Sequence, residues 1–143
     1  MIIRNYRDED YEQIAALMSE NDTFYEPQYS RENLSTRNPE DFLFLVAEID
    51  GQIIGTEVIL AWGKKAAILY GLTVKNEFRR QGVATKLLSE AKKIAQKRGC
   101  AQIGMYVNSE NKELLNFYSK RGWDKSSKQT WRSLWADIGS ENE

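Results

Sequence analysis

The chain has 143 residues, 41% hydrophobic and 29% charged, with a formal net charge of −1. That length is enough to bury a sizeable core in one domain, and the balanced charge provides no global basic field to recruit nucleic acid or an anionic membrane. There is one cysteine, Cys100, and no histidine. An internal disulfide, Ser-His-Asp and Cys-His catalysis and nearly every zinc site are thereby excluded, and no metal is expected. Cys100 reads as a small buried hydrophobe, since nothing is present to activate it.

Taken in order, Ile2 to Tyr6 alternates weakly and reads as a first strand. Asp8-Glu9-Asp10 opens a helix with acids in its first turn, where the helix dipole favours them. Its apolar stripe is Tyr11, Ile14, Ala15, Leu17 and Met18. Residues 21–38 are polar and aromatic and read as a loop plus a short helix from about Arg31 to Arg37, followed by a turn at Asn38-Pro39-Glu40-Asp41. Phe42 to Ile49 and Gln52 to Ala61 are two β-rich runs joined by Asp50-Gly51, a strong hairpin signal. A turn at Gly63-Lys64-Lys65 leads to a third antiparallel strand, Ala66 to Val74, completing a meander.

The run Val83 to Lys97 carries Val83, Leu87, Leu88, Ala91, Ile94 and Ala95 at helical spacing and stops at Arg98-Gly99. Ala101 to Val107 alternates, with Ala101, Ile103, Met105 and Val107 inward, so strand–helix–strand suggests a parallel crossover. A last helix spans about Asn111 to Lys120, stopping at Gly122, and a final β-rich run covers Thr130 to Ala136. The order β-α-α-β-β-β-α-β-α-β-β describes a mixed, mostly antiparallel α/β sheet of six to seven strands with helices on both faces. One domain over residues 1–143 is expected.

The most informative stretch is Arg79-Arg80-Gln81-Gly82-Val83-Ala84, a basic turn that opens a helix. Unpaired N–H groups of a first helical turn and the helix dipole both favour an anion there, and cations alone would oppose that dipole. Gly82 lets backbone approach the ligand closely. A phosphorylated ligand is the expected occupant.

Two motifs in this order resemble the GNAT superfamily of acyl-CoA-dependent N-acetyltransferases. One is (Arg/Gln)-x-x-Gly-x-(Gly/Ala), matched by Arg79, Gly82 and Ala84 after the strand residues Leu72-Thr73-Val74. The other is Asn-(x)6-Tyr-(x)3-Gly-aromatic, matched by Asn111, Tyr118, Gly122 and Trp123. Each is weak alone, but both in their expected contexts are specific. The resemblance implies a splayed parallel strand pair in mid-sheet and acetyl-CoA as co-substrate. Backbone at Arg79, Arg80, Gln81, Gly82, Val83, Ala84 and Thr85 would wrap the pyrophosphate, Leu72, Thr73 and Val74 would line the pantetheine arm, and Asn111 would contact it. A strand N–H would face the thioester oxygen as an oxyanion donor. Tyr118 would protonate the leaving thiolate while an amine attacks the carbonyl.

Relatives often carry a Glu base on the strand before the turn; here that position is Tyr70, and Glu57 on the adjacent strand is the substitute candidate. Tyr118 and Glu57 also read as core packing and as a cross-strand charge partner, and Tyr70 reads equally as an acceptor-site lining residue and as sheet packing. Phe24, Tyr25, Glu26 and Tyr29 fall where relatives roof the acceptor, the three aromatics reading equally as core, and Glu20, Asp22 and Glu26 favour a cationic acceptor. Trp131 and Trp135 share one strand face, which is either sheet core or the surface of a homodimer. The absence of a secretory signal and of any membrane-spanning run implies a cytoplasmic protein without membrane or nucleic-acid partners. A non-catalytic acyl-CoA-binding module is the alternative reading.

Overall fold

The computed structural model describes residues 1–21, 29–62, 66–108, 110–125 and 131–138. Its strands are β1 (Ile2–Asn5), β2 (Phe42–Ile49), β3 (Gln52–Trp62), β4 (Ala66–Val74), β5 (Gln102–Asn108), β6 (Asp124–Lys125) and β7 (Trp131–Asp137). Its α-helices are α1 (Tyr11–Glu20), α2 (Arg31–Thr36), α3 (Val83–Lys97) and α4 (Lys112–Ser119). Short 3-10 turns at Asp8–Asp10 and Asn76–Phe78 lead into α1 and into the turn before α3. The turn expected at residues 63–65 lies outside the described residues.

The strands form one sheet in the order β1-β2-β3-β4-β5-β7-β6. Every pairing is antiparallel except β4 with β5. Parallel neighbours need a crossover connection, and α3 supplies it. Asp50 and Gly51 both take positive φ, which the tight β2–β3 turn requires.

Period-2 alternation divides the sheet between two cores. Leu43, Leu45 and Ala47 of β2 face a cluster completed by Val83, Leu87, Leu88, Ala91 and Ala95 of α3 and by Leu115 and Tyr118 of α4. Phe44 and Val46, one residue out of phase, face a second cluster with Ile14, Leu17 and Met18 of α1, Tyr29, and Leu34 of α2. Ile103, Met105 and Val107 point into the first cluster as expected, but Ala101 does not. It precedes β5 and is exposed, because the strand begins one residue later, at Gln102.

Two defects in the sheet position everything that follows. Between Thr56↔Thr73 and Val58↔Tyr70, Glu57 on β3 is opposed by two residues of β4, Gly71 and Leu72. Gly71 takes φ +67°, the left-handed value that such a bulge places on glycine. Its carbonyl accepts from Thr56 Oγ1 at 2.8 Å and Thr73 Oγ1 at 3.2 Å, so the bulge is pinned by two hydroxyls that are themselves buried. The second defect is a splay. β4 pairs with β5 only over Ala66–Leu69 against Gln102–Met105, although β4 runs on to Val74 and β5 to Asn108.

A half-buried ion cluster ties the first strand to the turn before α1. Arg4 donates to both carboxylate oxygens of Asp10, at 2.8 and 2.9 Å, and to Glu48 at 3.1 Å. Burial pushes the Asp10 carboxyl up, but the Arg4 hydrogen bonds and the Arg7 N–H outweigh it and hold it below its ordinary value.

Candidate active site

The splay opens a cavity of about 560 Å³ lined by Leu72, Thr73 and Val74 on one side and by Asn111, Leu114 and Phe117 on the other. A second cavity of about 240 Å³ adjoins it through shared residues Val74, Arg79, Ala84 and Phe117, and reaches Gly82, Val83 and Thr85 at the start of α3. No side chain caps that helix terminus, and its first turn holds no acid. The first intrahelical bond runs from Lys86 N to Gly82 O, so the N–H groups just before it have no partner in the helix ladder. Arg80 takes φ +63° and Gly82 φ +84°. Left-handed residues in such a turn swing N–H groups toward one side, as in anion-binding concavities. The arrangement is suited to a diphosphate at the helix terminus, with an extended arm running along β4.

The basic residues of the turn do different work. Arg80 is exposed and lines the smaller cavity. Arg79 also lines it, but its guanidinium is committed to the protein: Nε donates to Val74 O at 3.1 Å and Nη2 to Asn21 Oδ1. That contact joins the turn to the end of α1. Gln81 donates from Nε2 to Glu77 O at 3.1 Å and is not among the cavity-lining residues. Asn111 is the N-cap of α4, its Oδ1 accepting from Leu114 N at 3.1 Å, so its amide N–H₂ and a second Oδ1 lone pair remain for a ligand in the larger cavity.

Tyr118 is buried, edge-on to Phe117 at 5.1 Å and to Trp123 at 5.8 Å between ring centroids. Burial, and secondarily the Glu57 charge, raise its phenol above the ordinary value, while Arg121 acts in the opposite direction. The phenol is therefore a proton donor throughout the neutral range. Glu57 lies opposite Leu45 in the β2–β3 register, which puts it on the α3–α4 face with Tyr118. It is fully buried, neither carboxyl oxygen has a hydrogen-bond partner, and burial pushes the carboxyl well above the usual carboxylate range. Neither residue lines the two cavities, though each adjoins a residue that does. Phe117 precedes Tyr118, and Leu72 lies opposite Glu57 across the bulge.

Of the acceptor candidates, Tyr29 is buried in the α1–α2 core, edge-on to Phe44 at 5.9 Å. Its hydroxyl faces Gly71, 3.0 Å from where a Cβ would stand. Burial, then Tyr70 and Glu57, raise its phenol. Tyr70 is half-buried against the same core. Phe24, Tyr25 and Glu26, with Asp22, lie outside the described residues. Sequence reasoning missed Phe117, Leu114, Glu113 and Arg121 as lining residues. A helical spacing from Asn111 would have found the α4 trio, since 113, 114 and 117 flank one side of that helix. Among the described residues no three of Cys, Asp and Glu come together as a metal site. No helix there is long and apolar enough to cross a membrane.

Comparison with known proteins agrees with this architecture. Residues 3–123 match the model of the acetyltransferase (GNAT) family, and the chain belongs to that family. Its structural neighbours include the PaiA N-acetyltransferase of Thermoplasma acidophilum in complex with coenzyme A, with 24% identity and TM-score 0.83 over 95% of this chain and 98% of that one. Ard1 of Thermoplasma volcanium is 21% identical at TM-score 0.79, covering 95% and 96%. An aminoglycoside 6′-N-acetyltransferase complexed with coenzyme A is 15% identical at TM-score 0.75, covering 96% and 97%. At these identities the likeness is one of fold, an α/β mixed sheet with one parallel pair.

Proposed function

We propose that the protein is an acetyl-CoA-dependent N-acetyltransferase acting on a primary amine of a small molecule or peptide, as a single domain. The observation that carries this reading is the cavity at the β4–β5 splay, continuous with the uncapped start of α3. It offers donors for a diphosphate at one end and unpaired strand backbone for a pantetheine arm at the other. In the transfer the amine attacks the thioester carbonyl, the C–N bond forms, the C–S bond breaks and coenzyme A leaves.

In this reading Gly82, Val83, Ala84 and Thr85 hold the diphosphate by backbone, with Arg80 adding charge. Leu72 to Val74 and the Asn111 amide orient the arm, and N–H groups at the bulge donate to the carbonyl oxygen as negative charge develops there. Tyr118, held protonated by burial, supplies the proton that the departing sulfur takes up. Glu57 is the candidate acceptor for the proton the amine loses. Its oxygens have free lone pairs, burial raises its basicity above that of an ordinary carboxylate, and it accepts the proton in its ionised form. A base is more valuable for a lysine-like amine of pKa ~10.4, rarely neutral at pH 7, than for an α-amine near ~7.7. The acceptor is assigned as a class only, with Glu113 of the larger cavity adding an acid to the exposed Glu20 in favour of a cation.

The test is release of free thiol from acetyl-CoA across a panel of amines, wild type beside Tyr118→Phe. Amine-dependent release, reduced roughly 10²- to 10⁴-fold in the variant, is expected. Tight acetyl-CoA binding with no release for any amine would favour the non-catalytic acyl-CoA-binding module. Absence of binding would overturn the reading altogether.

A further inference from the structure

A third groove, of about 210 Å³, lies against α3 beyond its first turn and takes no part in the chemistry above. Its walls are Thr85, Leu88, Ser89 and Lys92 of α3, with Arg121 and Trp123 after α4. Thr85 and Arg121 also line the cavity at the start of α3, so the two are neighbours along one helix face. Lys92 and Arg121 thus put two cations on one small groove, and among the described residues neither has a carboxylate partner. Like charges brought together without counter-charge are unfavourable unless something else holds them.

Here aromatic rings hold them. Lys92 Nζ stands 5.3 Å from the Trp123 ring centroid, and the Arg121 guanidinium carbon 3.6 Å from that of Phe117. Arg121 Nη1 also donates to Phe117 O at 2.8 Å, which fixes the guanidinium while leaving its remaining N–H groups unassigned. The hydroxyls of Thr85 and Ser89, one turn apart on the same exposed helix face, add two more donors. Trp123 is buried in the wall, and its indole N–H has no acceptor. Every polar side chain of the groove can donate, two of them carry positive charge, and none is an acid.

We propose that this groove is a phosphomonoester subsite that takes the 3′-phosphate of the acyl-CoA ribose. The proposal rests on the acyl-CoA reading above. If the diphosphate sits at the start of α3, the ribose must leave that cavity, and Arg121 borders both places a phosphate would occupy. A dianion between an ammonium and a guanidinium accepts charge-assisted hydrogen bonds from both, the strong kind, and supplies the missing counter-charge. The subsite makes the protein selective for coenzyme A over its 3′-dephospho form.

The experiment is calorimetric titration with acetyl-CoA and with acetyl-3′-dephospho-CoA, for wild type, Lys92→Gln, Arg121→Gln and the double variant. Wild type should bind acetyl-CoA at least about tenfold more tightly than the dephospho ligand. Each single variant should lose part of that ratio. The double variant should bind both ligands alike, and Lys92→Gln, which lies outside the diphosphate cavity, should keep the wild-type affinity for the dephospho ligand, which also shows that it is folded. Equal wild-type affinities would overturn the subsite while leaving the acyl-CoA reading intact. A double variant that loses both ligands in equal measure would overturn it too, marking the cations as a general field on the diphosphate. Failure of wild type to bind either ligand would instead sink the acyl-CoA reading.

Discussion

Replacing Glu57 by glutamine makes stability a direct readout of the buried carboxyl. Glu57 is fully buried and its oxygens have no partner, so burial is the whole cause of its upward shift from an ordinary 4.5. Between that value and its raised folded value the unfolded chain has lost this proton and the folded chain keeps it. The folded state then binds more protons, and stability falls as pH rises. The contribution is complete below pH 4.5 and is lost as pH climbs toward the folded pKa. Each pH unit inside that window costs a factor of about ten in the folding equilibrium.

Glu57→Gln keeps the shape and removes the titration. Its unpaired amide adds a fixed offset, but the offset does not vary with pH. Urea unfolding of both proteins from pH 4.5 to 8 should therefore give a stability difference that moves steadily in favour of the variant as pH rises. Asp10 titrates in the opposite sense. Its contribution is present above 3.8 and is lost as pH falls, but it is common to both proteins and cancels in the difference. Parallel stability curves would refute the reasoning, because they would mean that Glu57 ionises in the folded protein as freely as in the unfolded one.

Tyr118→Phe keeps both ring contacts, so unfolding free energy should change by no more than about 1 kcal/mol while turnover collapses. Because the phenol is raised, the pH–rate profiles of wild type and variant should share their shape below pH 9 and differ in height. Arg4→Met leaves the Asp10 carboxylate buried without its cation, and chemical denaturation should show a loss of about 3–5 kcal/mol. Gly71→Ala forces a Cβ to within 3.0 Å of Tyr29 Oη and 3.3 Å of Met18 Cε at φ +67°, so a cost of about 2 kcal/mol or more is expected in the same assay. Gly82→Ala meets nothing within 4 Å, and its cost should be the conformational ~1–2 kcal/mol alone.

Local pattern carried most of the fold. The α3 stripe, the Asp50-Gly51 hairpin and the β4–α3–β5 crossover all have short-range signals, and the structure places them where periodicity does. What escaped was set by partners distant in sequence. Asp10 is buried beside Arg4, and Arg4 also donates to Glu48, 44 residues away along the chain. Arg79 lines both cavities, but the anchoring of its guanidinium by Val74 and by Asn21, 58 residues away, has no local signal. The groove of Lys92, Arg121 and Trp123 joins α3 to the end of α4 and has no periodic signature at all. Tyr29 illustrates the same limit in reverse. Among polar neighbours it read as a site residue or as core with equal force, and only the sheet face it meets assigns it to the core.

The Gly71 bulge is where the two halves of the molecule meet. On the α1–α2 side Tyr29 places its hydroxyl against Gly71, and on the α3–α4 side Glu57 stands opposite the same residue pair. A bulge left free would let β4 slip by one residue, which would exchange its core and solvent faces. The two threonine bonds to the Gly71 carbonyl oppose that slip. They also fix where Leu72 to Val74 leave β5 and open the larger cavity. Substituting Thr56 or Thr73 by valine should therefore act twice. Each removes one bond to a buried carbonyl, about 1 kcal/mol in stability. Each should also weaken acyl-CoA binding through strand position, although Thr56 does not line the cavity. A Thr56→Val protein with lowered stability and wild-type acetyl-CoA affinity would separate the bulge from the site.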